Sequence, residues 1–429
     1  MTGSTPTNSN TATRPSYYNS VWRWHFYAGL IISPILLIMA VTGGMYLMQP
    51  QIEDALYGDL LYLQTPYEGP VDHDAIIATA STQLDARRVH AYQPPHATEQ
   101  SAQIILTTQA GTKLTAFVDP GHNTLIGTVN EDWRPMNVAK ALHGGLMIGK
   151  PGEVIVELVA SWTLVMVATG LYLWWPRRHR NLGTGVPKLN RRGRAFWREV
   201  HAVPGAWAGL WIVAIILSGL PWSVVWGAGF SAAGEALDEG FPAAIFAERP
   251  HSVSDPAIAE VSINTLMDVI ATRDLRHTFK LEYPWFPNGV YVAMPLRHGG
   301  APQDVAYLFF DKRSGDVLKD LRWRDMGAFG KASSVGVQFH EGRLFGPANQ
   351  IINLLAIFVV IGLALTGPVM WLSRKPPRTL GAPTVSANLT VSPGVVAVGT
   401  AFALFLPLFG LSVLTILVGE FLYAKWKTT

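Results

Sequence analysis

Apolar and polar positions along the chain form long unbroken hydrophobic stretches, separated by polar segments of mixed period. Crossing a hydrocarbon core takes about 20 mostly apolar residues. Five stretches qualify, at about Trp24–Met48, Val154–Trp175, Val203–Trp226, Ile351–Leu372 and Val395–Tyr423. With their flanks they predict membrane spans over residues 17–48, 151–176, 201–228, 347–373 and 394–425. The first has Tyr and Trp at its entry, a core too long for a leader and no small-residue cleavage pattern after it, so it is expected to remain as a span. Pro407 interrupts the fifth. It is compatible with a re-entrant hairpin, but one tilted helix is the expectation.

Between spans the period changes. In residues 49–150, Asp72–Leu84 has helical spacing, Ala102–Thr108 and Lys113–Val118 alternate as strands do, and Asp119–Asn123 has turn composition. In residues 229–346, Ile263–Ala271 is helical in pattern. Strand-like runs follow at Phe279–Tyr283, Gly289–Met294 and Ala306–Phe310, then a turn at Asp311–Gly315 and a short run at Val317–Leu318. Each segment predicts a small α+β unit. The expected fold class is an integral membrane α-helical bundle of five spans, internally duplicated, carrying two α+β modules. Residues 1–16, rich in Ser, Thr and Asn, read as a disordered tail.

Charge sets the expected orientation. Only 15% of residues are charged and the net charge is +3, so nucleic acid is not an expected partner. The loop 177–200 holds Arg177, Arg178, Arg180, Lys188, Arg191, Arg192, Arg194 and Arg198, and the loop 374–393 holds Arg374, Lys375 and Arg378. Short basic loops stay cytoplasmic. The N-terminus is then cytoplasmic and both α+β units lie outside. There is no cysteine, which excludes disulfides, thiolate-held clusters and covalent haem attachment. Any metal must be held by the 12 histidines, by Met or by carboxylates.

Four of these histidines fall on a repeat. His25 and His201 each open an outward span, with glycine four positions later (Gly29, Gly205) and again at 18 (43 − 25 and 219 − 201; Gly43, Gly219). His143 and His340 each precede an inward span, with glycine at +2 and +6 and Thr-Gly at +26 and +27 (Thr169-Gly170, Thr366-Gly367). A haem with two axial histidines needs imidazoles facing one another across a flat macrocycle. The repeat pairs His25 with His201 at the inner depth and His143 with His340 at the outer depth. Gly29 and Gly205, one turn from their histidines, would let the porphyrin approach the backbone. Arg23, Arg194 and Arg198 are candidate propionate partners inside, and Arg343 and Lys150 outside. The remaining histidines (73, 90, 96, 122, 179, 251, 277 and 298) have no repeat partner and read as surface residues. Trp285, Phe286 and Trp323 are candidate exposed aromatics for contacting a substrate, with packing inside the second unit the favoured reading.

Trp22-Arg23-Trp24-His25-Phe26-Tyr27-Ala28-Gly29-Leu30 is one signature. Leu142-His143-Gly144-Gly145-Leu146, running on to Thr169-Gly170-Leu171-Tyr172-Leu173-Trp174-Trp175-Pro176-Arg177, is another. With Arg198-Glu199-Val200-His201 and Phe339-His340-Glu341-Gly342, these resemble the PepSY-associated transmembrane family over about residues 17–380. The resemblance implies PepSY-like modules outside the membrane and two b-type haems ligated by His25, His201, His143 and His340. It also implies ferric-siderophore reduction in the periplasm of a bacterial inner membrane. A cytoplasmic reductant or quinol would donate, and a ferric siderophore or other iron chelate would accept. Two haems at opposite faces would divide a core of about 30 Å into shorter electron steps. Two alternatives remain: a quinol-linked cytochrome serving another periplasmic redox partner, and a non-enzymatic PepSY-type binding or anchor protein.

Overall fold

The computed structural model describes residues 18–175, 185–373 and 393–428, apart from 254, 256, 274, 276–277 and 297–299. The proposed disordered tail, residues 177–184 of the first basic loop and nearly all of the second lie outside the described residues, as do His179, His277 and His298.

The chain begins with α1 (Tyr18–Leu47), α2 (Gln49–Leu61) and α3 (His73–Gln83). Four strands follow, β1 (Ala86–Gln93), β2 (Ala102–Thr108), β3 (Lys113–Asp119) and β4 (Thr124–Asn130). Then come α4 (Pro135–Gly145), α5 (Lys150–Trp174), α6 (Gly193–Gly219), α7 (Val225–Ala236), α8 (Ala243–Phe246) and α9 (Ile263–Ala271). The second strand set is β5 (Phe279–Glu282), β6 (Tyr291–Pro295), β7 (Ala306–Phe310) and β8 (Val317–Arg322). The chain ends with α10 (Ala328–His340), α11 (Pro347–Leu372), α12 (Pro393–Phe405) and α13 (Pro407–Thr428). Among the described residues, five helical segments are long and apolar enough to cross a membrane: Tyr18–Leu47, Lys150–Trp174, Gly193–Trp222, Pro347–Leu372 and Pro407–Lys427.

The chain packs into two compact units. One comprises residues 1–37, 157–213 and 358–429, and is helical wherever it is regular. The other, residues 38–156 and 214–357, contains every strand found among the described residues.

In the second unit the two α+β segments are not separate modules. Their strands form one eight-stranded sheet in the order β4-β3-β2-β1-β5-β6-β7-β8. The joint is antiparallel, with Ala91 opposite Glu282 and Tyr92 opposite Leu281. Pairing β1 with β5 closes two strand edges that would otherwise leave backbone donors and acceptors open. Alternation along the strands divides the sheet's faces. Leu308 and Phe310 join Ile76, Ile104 and Leu266 in the larger core, whereas Phe309 packs with Val292 and Ala244 in a smaller one. The helices on the larger face, α3 and α9, cap one another. Asp72 and Ser262 are their own N-caps. Asp74 also accepts from the backbone N–H of Ile263 (2.8 Å) and Asn264 (3.1 Å), and the Asn264 side chain accepts from the N–H of His73 (2.8 Å).

One expectation about the helices is corrected and another is refined. The fifth stretch is two helices meeting at Leu406, because Pro407 has no N–H to continue the ladder. The bend is tight enough that a Cβ on Gly410 would lie 2.7 Å from the carbonyl oxygen of Ala403. His143 and His340 precede their spans as expected, on the short separate helices α4 and α10. The breaks come at the glycines six positions later. Gly149 (φ 66°) and Gly346 (φ 58°) adopt a left-handed turn that a side chain would strain.

Candidate functional site

The four repeat-matched histidines form two pairs. His25 on α1 faces His201 on α6, with ring centres 6.4 Å apart and planes at 83°. His143 on α4 faces His340 on α10 at 6.1 Å and 62°. All four rings are half-buried. In each, Nδ1 is held by a hydrogen bond.

For the first pair the partners are threonines. His25 Nδ1 lies 2.9 Å from Thr169 Oγ1 on α5, and His201 Nδ1 lies 2.8 Å from Thr366 Oγ1 on α11. Each hydroxyl gives its own proton to a carbonyl one turn back, Val165 at 2.8 Å and Gly362 at 2.7 Å. Its oxygen is therefore left to accept from the imidazole N–H. The glycine after each threonine faces the ring. A Cβ on Gly170 would lie 3.2 Å from His25 Cε1, and one on Gly367 would lie 3.9 Å from His201 Cε1.

For the second pair the partners are backbone carbonyls. His143 Nδ1 donates to the Met39 oxygen on α1 and His340 Nδ1 to the Ile215 oxygen on α6, both at 2.8 Å. A helical carbonyl is normally covered by the side chain four residues on, which points back over it. Here that residue is Gly43 or Gly219, and a Cβ on either would come 2.9 Å from the histidine Cε1. These glycines uncover the acceptor and admit the ring.

Protonation at Nδ1 leaves the lone pair at Nε2, the arrangement of a metal-ligating histidine oriented by a second partner. Two imidazoles sharing one metal across bonds of about 2 Å have ring centres about 6 Å apart, in line with both pairs. Among the described residues, no three His, Asp or Glu gather as a metal cluster. Each site therefore supplies two opposed nitrogens, a donor set suited to a metal whose other ligands come from a macrocycle.

The other sequence candidates stand in varied relation to these pairs. A Cβ on Gly29 would meet the Met166 methyl at 3.0 Å, and one on Gly205 would meet a Leu363 methyl at 3.1 Å. The flexible ends of these side chains occupy the space expected to admit a porphyrin. The Arg23 guanidinium lies over the Tyr27 ring at 5.5 Å. Arg198, half-exposed, is 3.7 Å from Glu199, and Arg194 is exposed. Arg343 pairs with Glu341 at 2.6 Å and Lys150 with Glu153 at 2.7 Å. Holding a propionate would require either of these last two to exchange partners.

Outside the pairs, His73 is a buried-side partner of Tyr92, with Nδ1 2.6 Å from the phenol oxygen. Burial holds its imidazole below the ordinary value. Trp285 and Phe286, expected to pack inside the unit, are exposed instead, with the Arg88 guanidinium over Trp285 at 5.4 Å.

The sequence reading missed Thr169 and Thr366 as partners of the histidines, and the uncovering role of Gly43 and Gly219. The signal was present in the Thr-Gly and +18 offsets. A repeat shows that positions matter without showing what they touch.

The model of the PepSY-associated TM region family matches residues 22–374. The chain belongs to this family. No curated protein matches it. In this PepSY-associated chain the matched segment takes in both histidine pairs, their threonines and the whole eight-stranded sheet, and leaves α12 and α13 beyond its end.

Proposed function

We propose that this protein is a di-haem, b-type membrane oxidoreductase that delivers electrons to a ferric siderophore or other iron chelate outside a bacterial inner membrane. The observation that carries this reading is the double arrangement of opposed imidazoles, each with Nδ1 tied and Nε2 left to ligate. His25 and His201 would hold one haem, and His143 and His340 the other. Haem bound there would supply a one-electron carrier at each pair. The protein's part is to fix four imidazoles in one tautomer through Thr169, Thr366 and the Met39 and Ile215 carbonyls, and to keep room beside the rings with glycine.

The chemistry balances simply. Each electron converts one Fe(III) to Fe(II) in the chelate, with no bond to protein. A quinol donor yields two electrons and two protons and so serves two ferric ions, while a cytoplasmic reductant would deliver its electrons without a membrane proton release. Reduction weakens the hold of hard oxygen ligands on iron, so release follows from ligand preference. The basic loops support a cytoplasmic N-terminus, which would place the sheet and the His143–His340 pair on the periplasmic side.

The test is the absorbance spectrum and acid-extractable haem content of protein purified from haem-supplied cells. About two non-covalent haems per chain are expected, because no cysteine can tether them. Dithionite-reduced protein should be reoxidised by added ferric hydroxamate. A haem content near zero would overturn the reading.

A further inference from the structure

Each histidine of the second pair is followed, five positions on, by an exposed apolar side chain: Ile148 after His143 and Phe345 after His340 (148 − 143 and 345 − 340). Both lie in a turn between a short histidine-bearing helix and a long apolar one. The first turn runs from the end of α4 at Gly145 to the start of α5 at Lys150, and the second from the end of α10 at His340 to the start of α11 at Pro347. At their tips Met147 is 52% exposed, Ile148 57% and Phe345 64%. We infer that these two turns dock into the lipid bilayer, their tips entering the acyl edge of the leaflet in which α5 and α11 begin and seating the His143–His340 pair at headgroup depth. The inference does not depend on what the histidines bind.

Position argues for lipid. α5 and α11 are long and apolar enough to cross a membrane, so their first residues lie near its surface. Ile148 and Phe345 stand two residues before those starts (150 − 148 and 347 − 345), a step of at most about 7 Å. Apolar anchors at a bilayer surface bury themselves about 5–10 Å into the boundary of headgroups and acyl chains. The same device stands before both spans. A bilayer explains both copies at once because it surrounds every span, whereas a partner protein would need two matched sites.

The backbone is prepared for that setting. A segment entering an apolar layer must bring its backbone donors already bonded. In the first turn the N–H groups of Leu146, Met147 and Ile148 donate to the carbonyls of Leu142, Ala141 and Gly145, at 3.1, 3.1 and 3.0 Å. In the second, those of Gly342, Arg343, Leu344 and Gly346 donate to carbonyls of Phe339, Gln338 and Arg343, at between 2.8 and 3.1 Å. Residues 144–149 carry no charge, and Arg343 is neutralised by Glu341 at 2.6 Å. Lys150, paired with Glu153, can reach back along its stem to the headgroups. Leu146 and Met147 hold φ of 51° and 57°, a left-handed backbone that glycine adopts freely and a side chain only at a cost. Such strain persists where it serves a purpose, and an exposed methionine gains from an apolar partner and not from water.

The chain has no cysteine, so single-cysteine variants of the full-length protein each report one position. Ile148→Cys, Phe345→Cys and Gln109→Cys, the last exposed in the turn between β2 and β3, are given a nitroxide label and reconstituted into phosphatidylcholine vesicles. Collisions of each label are measured with oxygen, which concentrates among acyl chains, and with a neutral nickel chelate, which stays in water. Relative to the label at position 109, those at 148 and 345 should lose the nickel effect and gain the oxygen effect. Nickel accessibility at either position equal to that at 109 would overturn the inference. Protection from both reagents would overturn it as well, by showing that the tips are buried against protein, such as a second copy of this chain.

Discussion

The His25–His201 pair and the His143–His340 pair solve the same problem with different groups. The first ties Nδ1 to threonine hydroxyls, Thr169 and Thr366, and the second ties it to carbonyls of the backbone at Met39 and Ile215. A hydroxyl can both donate and accept, so it enforces one imidazole tautomer only because its own proton is committed to a carbonyl one turn back. A carbonyl can only accept, and it enforces the tautomer unconditionally. The cost of the second solution is spatial. The ring must reach a helix backbone, and only glycine at positions 43 and 219 leaves the carbonyl open. One pair is therefore vulnerable at its threonines and the other at its glycines.

The largest effects should come from the four histidines proposed as ligands. His25→Ala and His201→Ala should each remove the same spectral component, and the double variant should match either single one. His143→Ala and His340→Ala should share the other component. Loss of a common component from His25→Ala and His143→Ala would break the pairing.

The glycines should come next, and they should divide the two pairs. Gly43→Ala and Gly219→Ala each place a methyl 2.9 Å from an imidazole carbon, closer than real Cβ contacts allow. Each should abolish haem at the His143–His340 pair while leaving the other spectrum intact. Gly367→Ala, with 3.9 Å to His201, should leave both haems in place. Equal retention in all three variants would show that distance from the ring does not matter.

Removing a hydrogen-bonding partner of a metal-bound histidine typically weakens metal affinity about 10–100-fold. Thr169→Val and Thr366→Val should each loosen haem at the His25–His201 pair to that degree, measured as the rate of haem transfer to an acceptor protein, with Thr→Ser close to wild type. Met39→Leu keeps the carbonyl and should leave the other pair unaffected. A valine variant as retentive as wild type would reduce the threonines to packing residues.

The smallest effect separates the units by stability. Asp74→Ala removes two backbone hydrogen bonds at the start of α9, and lost caps of this kind cost about 0.5–2 kcal/mol. Chemical denaturation should show the strand-rich unit weakened by that amount while the His25–His201 spectrum persists. A simultaneous loss of both signals would mean that the units unfold as one.

Much of this was legible without coordinates. Hydrophobic run length marked the spans, and the helix Ile263–Ala271 and the strands Ala102–Thr108 and Ala306–Phe310 have the bounds their period suggests. The short helices α2, α4, α7 and α10 were not evident, because each is brief and its apolar face is set by tertiary packing more than by a sustained repeat. The union of the two strand sets was likewise hidden, since nothing in the composition of β1 or β5 says which edge will meet which. Gly29 and Gly205 illustrate the limit of face arguments. Their spacing puts them a turn from a histidine, but Met166 and Leu363 stand in front of them.

The sequence by itself determined the family of the protein, its apolar spans and the matched offsets around four histidines. These follow from local quantities: the length of apolar runs, the absence of cysteine, and offsets that count residues along one chain. Only the tertiary structure decided what each imidazole leans on. A hydrogen bond from His143 to the carbonyl of Met39 joins residues 104 positions apart and involves a group that every residue carries. No residue type announces such a partner, so it is found only when the helices are laid side by side.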